Sequence, residues 1–303
     1  MPPTHSVWFL GTSDFAVPSL EALLADPTFS VDLVITQPDR PAGRKQVRSA
    51  SPVKVAAMKH DVKILQPENI NDTSSFSILL PSASRDPFPA PDFLVVVSFG
   101  QILSQEILNT PNIAPVNLHA SLLPRWRGAS PIQHAILAGD AETGVTVQKI
   151  VRELDAGPVL SQEKVTLDSR EIVTSLHDTL ATMGAQLLIK TLTSPLRPVE
   201  QDTSRVTTCR KLKREDGRVD PATLSAEEID RNVRGLSPWP GVTVMMDGQT
   251  LKILETALEP TMDSAVLPCA GGTVLHLVHV QPAGGKPMTG EQWERGQRSK
   301  RGK

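Results

Sequence analysis

The 303-residue chain has no tyrosine, and four tryptophans with seven phenylalanines bring its aromatic content to only 4%. A protein so short of flat rings has little with which to stack a run of unpaired bases, which excludes a single-strand-binding platform. Cysteine is scarce as well: Cys209 and Cys269 are the only two, with no Cys-x-x-Cys pair. Two reduced thiols fit that count better than a disulfide framework or a structural zinc site. No stretch reaches the roughly 18 consecutive apolar residues of a membrane-spanning helix. The opening Met-Pro-Pro-Thr-His-Ser lacks the basic and apolar regions of a secretory signal, so the expected location is the cytoplasm, with no membrane partner. Charge of one sign is also missing. Lys and Arg number 31 against 33 Asp and Glu, a net charge of −2, so any contact with nucleic acid has to come from local basic clusters. Gly11-Thr-Ser-Asp14 belongs to neither a Gly-x-Gly-x-x-Gly nor a Gly-Lys-Ser/Thr motif, which argues against a dinucleotide or a nucleoside triphosphate. His276 and His279 look like a metal pair, but an offset of three on a strand sends the rings to opposite faces, and no metal is expected.

What is present suits a folded chain of two domains: 39% hydrophobic and 21% charged residues, over a length too great for one compact core. The first two hundred residues alternate apolar strand patterns at 7–10, 31–36, 93–98, 114–118, 143–151 and 159–166 with helical ones at 15–24 and 53–60. Such alternation predicts a wound α/β sheet. Ile172, Leu176, Leu180, Met183 and Leu187 mark a long amphipathic helix, with Asp168 and Glu171 as a capping pair at its start. The proline-rich run 81–91 reads as an exposed loop. A division into a first domain over 1–193, a linker over 194–208 and a second domain over 209–303 follows. In the second, Ser225 and Glu228 form a capping box, and Asp247-Gly248 between two strand patterns is a hairpin signal. Short strands with turn signals predict a small barrel. The barrel looks shortened, because few residues separate 252–258 from 274–280 for a further strand. The basic residues from Arg295 to Lys303 read as a frayed tail.

The most informative stretch is 116–136. An apolar strand ends in Asn117 and His119, and a tight Pro124-Arg-Trp-Arg-Gly128 loop and a short helix follow. In open α/β sheets, small substrates bind just outside the carboxyl ends of strands. An amide beside an imidazole there suits polarising a carbonyl and moving a proton. Asp155, after a strand and before Ala156-Gly157, stands where a carboxylate can orient that imidazole. Singly, each of the three has a structural reading: a strand-end histidine, a turn-forming aspartate, an asparagine satisfying backbone.

Asn117-Leu-His-Ala-Ser-Leu-Leu-Pro124, joined by a strand to Leu154-Asp-Ala-Gly157, resembles the signature of the folate-dependent formyltransferase superfamily. Within it, Pro124-Arg-Trp-Arg-Gly-Ala-Ser-Pro-Ile-Gln133 and Gln37-Pro-Asp-Arg-Pro-Ala-Gly43 are similar to the methionyl-tRNA formyltransferase family, and the resemblance runs from Phe9 to Gly284. It implies a Rossmann-like wound sheet in a formyltransferase domain, followed by a small OB-like β-barrel domain. It implies formyl transfer from 10-formyltetrahydrofolate, as co-substrate, to the α-amino group of methionyl initiator tRNA by a monomeric enzyme of the bacterial cytosol. Asn117, His119 and Asp155 become the catalytic residues, with His119 either the proton acceptor or the cationic partner of an oxyanion. Ser121, Leu122, Leu123 and Pro124 match the folate-contacting turn, and Ser98, Phe99, Gly100 and Ile102 the pterin pocket, Phe99 and Ile102 as its apolar wall. Arg40, Arg44, Lys45 and Arg48 form a cationic finger, kept out of regular structure by proline and glycine, that the resemblance assigns to tRNA phosphates. Arg125 and Arg127 either reach the aminoacyl end or brace the loop. The rivals are a folate-dependent formyltransferase acting on a small amine, such as an amino sugar or glycinamide nucleotide, and a non-catalytic tRNA-binding protein. Pro221 departs from the family, which commonly has an aromatic residue there.

Overall fold

The computed structural model describes residues 4–42, 47–72, 89–246 and 248–301. Most of the proline-rich run, Arg44, Lys45 and Asp247 lie outside the described residues. The chain packs as two compact units with interleaved segments. One comprises Met1–Arg127, Gly144–Val165 and His177–Thr208, and the other Gly128–Thr143, Thr166–Leu176 and Cys209–Lys303.

The first unit is built on a seven-stranded sheet. Its strands are β1 (His5–Gly11), β2 (Phe29–Ile35), β3 (Ile64–Leu65), β4 (Phe93–Val97), β5 (Ala114–His119), β6 (Glu142–Lys149) and β7 (Val159–Thr166), in the order β7-β6-β5-β4-β1-β2-β3. From β5 to β3 every pairing is parallel, and β6 runs antiparallel to β5. Parallel strands are covered on both faces, which is why β1 and β4 read as unbroken apolar runs rather than alternating ones. Val7, Trp8, Phe9 and Leu10 are all at most 1% exposed. Trp8 and Leu10 point into a core shared with Leu33, Ile35, Leu94 and Phe99. Helix α1 (Val17–Ala25) follows β1; α2 (Pro52–Lys59) opens on Ser51, whose hydroxyl accepts from the Lys54 amide, with proline in the first turn where no N–H is needed. The chain passes from β1 outward to β2 and β3 and then returns to β4 on the other side of β1. This reversal opens a crevice at the carboxyl ends of the strands.

After the short helix α3 (Pro131–Ala138), the predicted amphipathic helix forms as α4 (Val173–Leu192), with Leu176, Leu180 and Leu187 buried. Its start differs from expectation. Asp168 accepts from the Arg170 amide in a turn that precedes the helix, and Ile172 stays 46% exposed. Among the described residues no helix is long and apolar enough to cross a membrane.

In the second unit, the Ser225–Glu228 capping box forms as predicted and opens α5 (Ala226–Leu236), which buries Ile229, Val233 and Leu236. They pack on a sheet of β8 (Arg218–Val219), β9 (Val242–Met246), β10 (Gln249–Ala257), β11 (Ala265–Pro268), β12 (Val274–Pro282) and β13 (Met288–Thr289). β9 and β10 pair antiparallel, with Met246 opposite Gln249; the Asp247 half of the expected turn lies outside the described residues. The shortage of strands expected here is corrected by β11: four residues suffice, with Ala265 and Leu267 inward and Val266 and Pro268 outward, paired antiparallel to β12. The tail expected to fray is helical as far as Arg301, the last described residue. Thr289 and Gln292 exchange reciprocal bonds at the start of α6 (Gly290–Arg301), Glu291–Arg295 and Glu294–Arg298 pair along it, and Trp293 enters the core at 7% exposure.

Candidate active site

Asn117 and His119 stand two residues apart at the end of β5, so the pleat turns both side chains to one face. Opposite them on β6 are Gln148 and Thr146 respectively. Val145 and Val147 face the other way into the apolar interior, and the whole central stretch of β6 is buried. This places two buried polar side chains against the two candidate catalytic ones. Thr146 Oγ1 donates to the Ser121 carbonyl at 2.6 Å and accepts from the Leu123 amide at 3.1 Å. Gln162 adds bonds to Thr146 and to the Leu123 carbonyl, and Ser121 Oγ donates to the Arg125 carbonyl at 2.6 Å. The turn after His119 is therefore tied down from beneath.

His119 is 6% exposed. Its Nε2–H donates to the Trp126 carbonyl at 2.9 Å, and its Nδ1 lies 3.7 Å from Asp155 Oδ2. Gln148 Nε2 donates to the other oxygen of Asp155 at 3.2 Å. The backbone is strained at just these places. Of the five non-glycine residues with positive φ among the described residues, three are Asp155 (+52°), Trp126 (+60°) and Ser98 (+48°). Strain of this kind persists where the surroundings over-determine it, and it gathers at working sites. Behind Asp155 the backbone comes so close that a Cβ on Gly157 would lie 1.7 Å from the Lys149 carbonyl oxygen, and only glycine fits.

Asn117, Gln148 and Asp155 line a cavity of about 160 Å³ whose apolar side includes Ile102, Leu103 and Leu154. Ile102 lines this cavity at 80% exposure, whereas Phe99 does not reach it. The Phe99 ring is 2% exposed inside the core, because the positive φ at Ser98 turns the strand end inward. Its carbonyl instead accepts from Thr12 Oγ1 at 2.8 Å and Gln37 Nε2 at 3.3 Å, and Ser98 Oγ accepts from Ser13 Oγ. Gly100 sits at φ +87° in the same turn. Leu122, Leu123 and Pro124 line a different concavity, about 410 Å³, together with Arg125, Lys164 and Arg205, while Ser121 is wholly buried.

Of the two arginines in the turn, Arg127 takes the bracing role and not the exposed one. Its side chain is 10% exposed, bonded to Gln201 at 3.0 and 2.8 Å and 3.6 Å from Glu153. Arg125 stacks over Trp126, 4.4 Å from the ring centre. The described ends of the cationic finger are regular: Arg40–Ala42 and Val47–Ser49 pair as a short antiparallel ladder, contrary to the irregular loop expected. Arg40 and Arg48 are exposed there, and Arg40 meets Glu68 at 2.7 Å. At the finger's base, hydrogen bonds from Gln66 and Lys54 hold the Asp39 carboxyl below its usual range.

Sequence reading passed over Thr146, Gln148 and Gln201. The first two carried a signal, since a polar pair alternating with valines on a buried strand needs partners. Gln201 carried none, being one polar residue in a segment read as a linker.

A formyl transferase family model matches residues 6–192, and a model of the formyl transferase C-terminal domain matches residues 211–298. The methionyl-tRNA formyltransferase of Staphylococcus epidermidis is 38% identical over 296 residues, 92% of each chain. That of Bacillus cereus is 39% identical over 307 residues, covering 96% of this chain and 95% of the other. Among solved structures, methionyl-tRNA formyltransferase from Clostridium thermocellum aligns over 91% of this chain and 98% of its own, with a TM-score of 0.56 at 14% identity. An N-formyltransferase from Helicobacter canadensis, solved with folinic acid and dTDP-3-aminofucose, aligns over 89% of this chain and 98% of its own, with a TM-score of 0.65 at 16% identity. At such identities the structures share the fold.

Proposed function

The chain belongs to the methionyl-tRNA formyltransferase family, and from that premise we propose that it moves a formyl group from 10-formyltetrahydrofolate to the α-amino group of methionyl initiator tRNA, using Asn117, His119 and Asp155. The observation that carries this reading is the meeting of those three side chains at the carboxyl end of β5, two of them lining the cavity. That cavity is smaller than the roughly 300 Å³ at which pockets for whole drug-sized ligands begin, so it takes the ring end of the folate and leaves the rest outside. Ile102 and Leu103 would hold the ring on the cavity's apolar side. When bound, the folate supplies the formyl group.

The chain's own residues do the rest. Asn117 donates its amide N–H to the formyl oxygen as negative charge develops on it. His119 takes at Nδ1 the proton that the attacking amine must lose, Asp155 stabilises the cationic ring that results, and the imidazole returns the proton to the donor nitrogen as its bond to the formyl carbon breaks. The 3.7 Å separation between them closes as the imidazole charges, in keeping with the loose geometry of unliganded sites. Free α-amino groups titrate at about 7.7–8.0, so a modest base suffices.

Arg40, Arg44, Lys45 and Arg48, with Arg125 at the concavity it shares with Lys164 and Arg205, supply cations for the acceptor's phosphates. In this reading residues 1–193 form the catalytic domain and 209–303 the C-terminal domain, and the protein works in the cytoplasm as a monomer. The test is incubation with charged initiator tRNA and labelled formyl donor, with small amines as competitors. Label in the tRNA ester is expected. Transfer to an amino sugar or glycinamide nucleotide instead would overturn the acceptor assignment.

A further inference from the structure

The segment expected to be a linker carries a side chain bonded on both of its sides. Gln201 is 9% exposed. Its Oε1 accepts from Arg127 Nε at 3.0 Å and Nη2 at 2.8 Å. Its Nε2 donates to the carbonyls of Asp155 at 2.8 Å and Gly157 at 2.7 Å, with Gln148 Oε1 a longer third partner at 3.3 Å. The orientation is unambiguous. Exchanging nitrogen and oxygen would aim the NH₂ at guanidinium donors and the oxygen at two carbonyl oxygens, and every bond would be lost.

Each group that Gln201 grips flanks His119. The 155–157 turn carries the carboxylate facing Nδ1, and Arg127 follows Trp126, whose carbonyl accepts from Nε2. Gln148, the third partner, donates to the Asp155 carboxylate. We propose that Gln201 is a positioning residue: by clamping the two turns on either side of the imidazole it sets the distance and direction of Asp155 from His119. The inference rests on the catalytic assignment above.

The residue type fits the task. Asp155 is in the left-handed region, which an L-residue leaves readily once its carbonyl loses the bond that holds it there. Glutamate could still accept from Arg127 but would have no N–H for the two carbonyls. Asparagine is one methylene too short to span both turns.

The experiment compares wild type, Gln201→Leu, Gln201→Glu, Asp155→Asn and Gln201→Leu/Asp155→Asn. The readouts are kcat, folate affinity, and the pH profile of kcat/KM. Both Gln201 variants are expected to lose about 10- to 100-fold in kcat, the usual effect of displacing a catalytic group by about 1 Å. Folate affinity should stay within about twofold, the acid limb of the pH profile should move, and Gln201→Leu should cost nothing further once Asp155 is Asn. A purely structural glutamine would move the melting temperature, leave the pH profile in place, and multiply its cost with that of Asp155→Asn; that result overturns the proposal. A measurement on wild type alone covers the case of variants that do not fold. With ¹⁵N labelling, the Gln201 side-chain amide resonances should titrate with the same midpoint as the His119 ring. Amide resonances indifferent to that titration would equally overturn it. Should wild type formylate no charged tRNA, the functional reading fails, while the amide titration still decides whether the clamp exists.

Discussion

His119 is held by what lies on either side of its ring, a backbone carbonyl and a carboxylate, so its usefulness depends on residues far away in sequence. His119→Ala and Asp155→Asn are each expected to lower turnover by about 10²- to 10⁴-fold, the reach of one acid–base group. The double variant should be little worse than the poorer single one, as measured by kcat with saturating charged tRNA. Gly157→Ala tests the backbone that carries Asp155. The new methyl would stand 1.7 Å from the Lys149 carbonyl, so the turn must move, and kcat should fall about a hundredfold. At this scale the sequence was legible where chemistry is tied to a strand end, as at Asn117 and His119. It was not legible where one backbone angle decides direction. Phe99 looked like a cavity wall, and the positive φ of Ser98 sends it into the core. For Arg127 the sequence left contact and bracing open, and the side chains that decide it, Gln201 and Glu153, are distant in the chain.

Among the elements, α5 carries a charge at its buried face. Asp230 is 1% exposed and accepts from Arg170 and Arg234 at 2.8 Å each and from Thr256 at 2.7 Å. Burial pushes this carboxyl upward, but the bonds from Arg234, Thr256 and Arg170 outweigh it and hold the group below its ordinary value. A carboxyl depressed by folding contributes stability that is fully present above the unfolded carboxylate range and is lost as pH falls through the lower, folded value. Denaturant unfolding should therefore lose stability below about pH 4. Asp230→Asn should cost about 1–3 kcal/mol at pH 7 and should flatten that part of the pH dependence. It removes the charge that the half-exposed Arg170 and the mostly buried Arg234 pair with, while their bonds to the Thr256 and Glu171 carbonyls remain. Periodicity revealed α4, and capping chemistry located α5. The same cues missed β11, where four residues leave too few alternations to register, and misread α6, where basic residues hide a single buried tryptophan.

For the whole molecule, a net charge of −2 leaves no general attraction for RNA, so affinity must reside in a few places. Replacing Arg40, Arg44, Lys45 and Arg48 together by Ala should raise KM for charged tRNA with folate affinity unchanged. Every phosphate left without its cation should make the logarithmic salt dependence of tRNA binding shallower by about one unit. An unaltered salt slope would show that the finger meets no phosphate. A folate analogue should protect 97–102 and 148–157 from hydrogen exchange and leave residues beyond 209 unprotected; the reverse pattern would move the donor to the other unit. One strand connects these behaviours to folding itself. On β6 the valines face the interior while Thr146 and Gln148 hold the 121–125 turn and Asp155. A slip of one residue would exchange the two sets, driving an amide and a hydroxyl into hydrocarbon while leaving the 121–125 turn unheld. The same alternation that drives the strand into place thus assembles the site. Setting the register of β6 and holding the 121–125 turn and Asp155 are therefore a single event of folding.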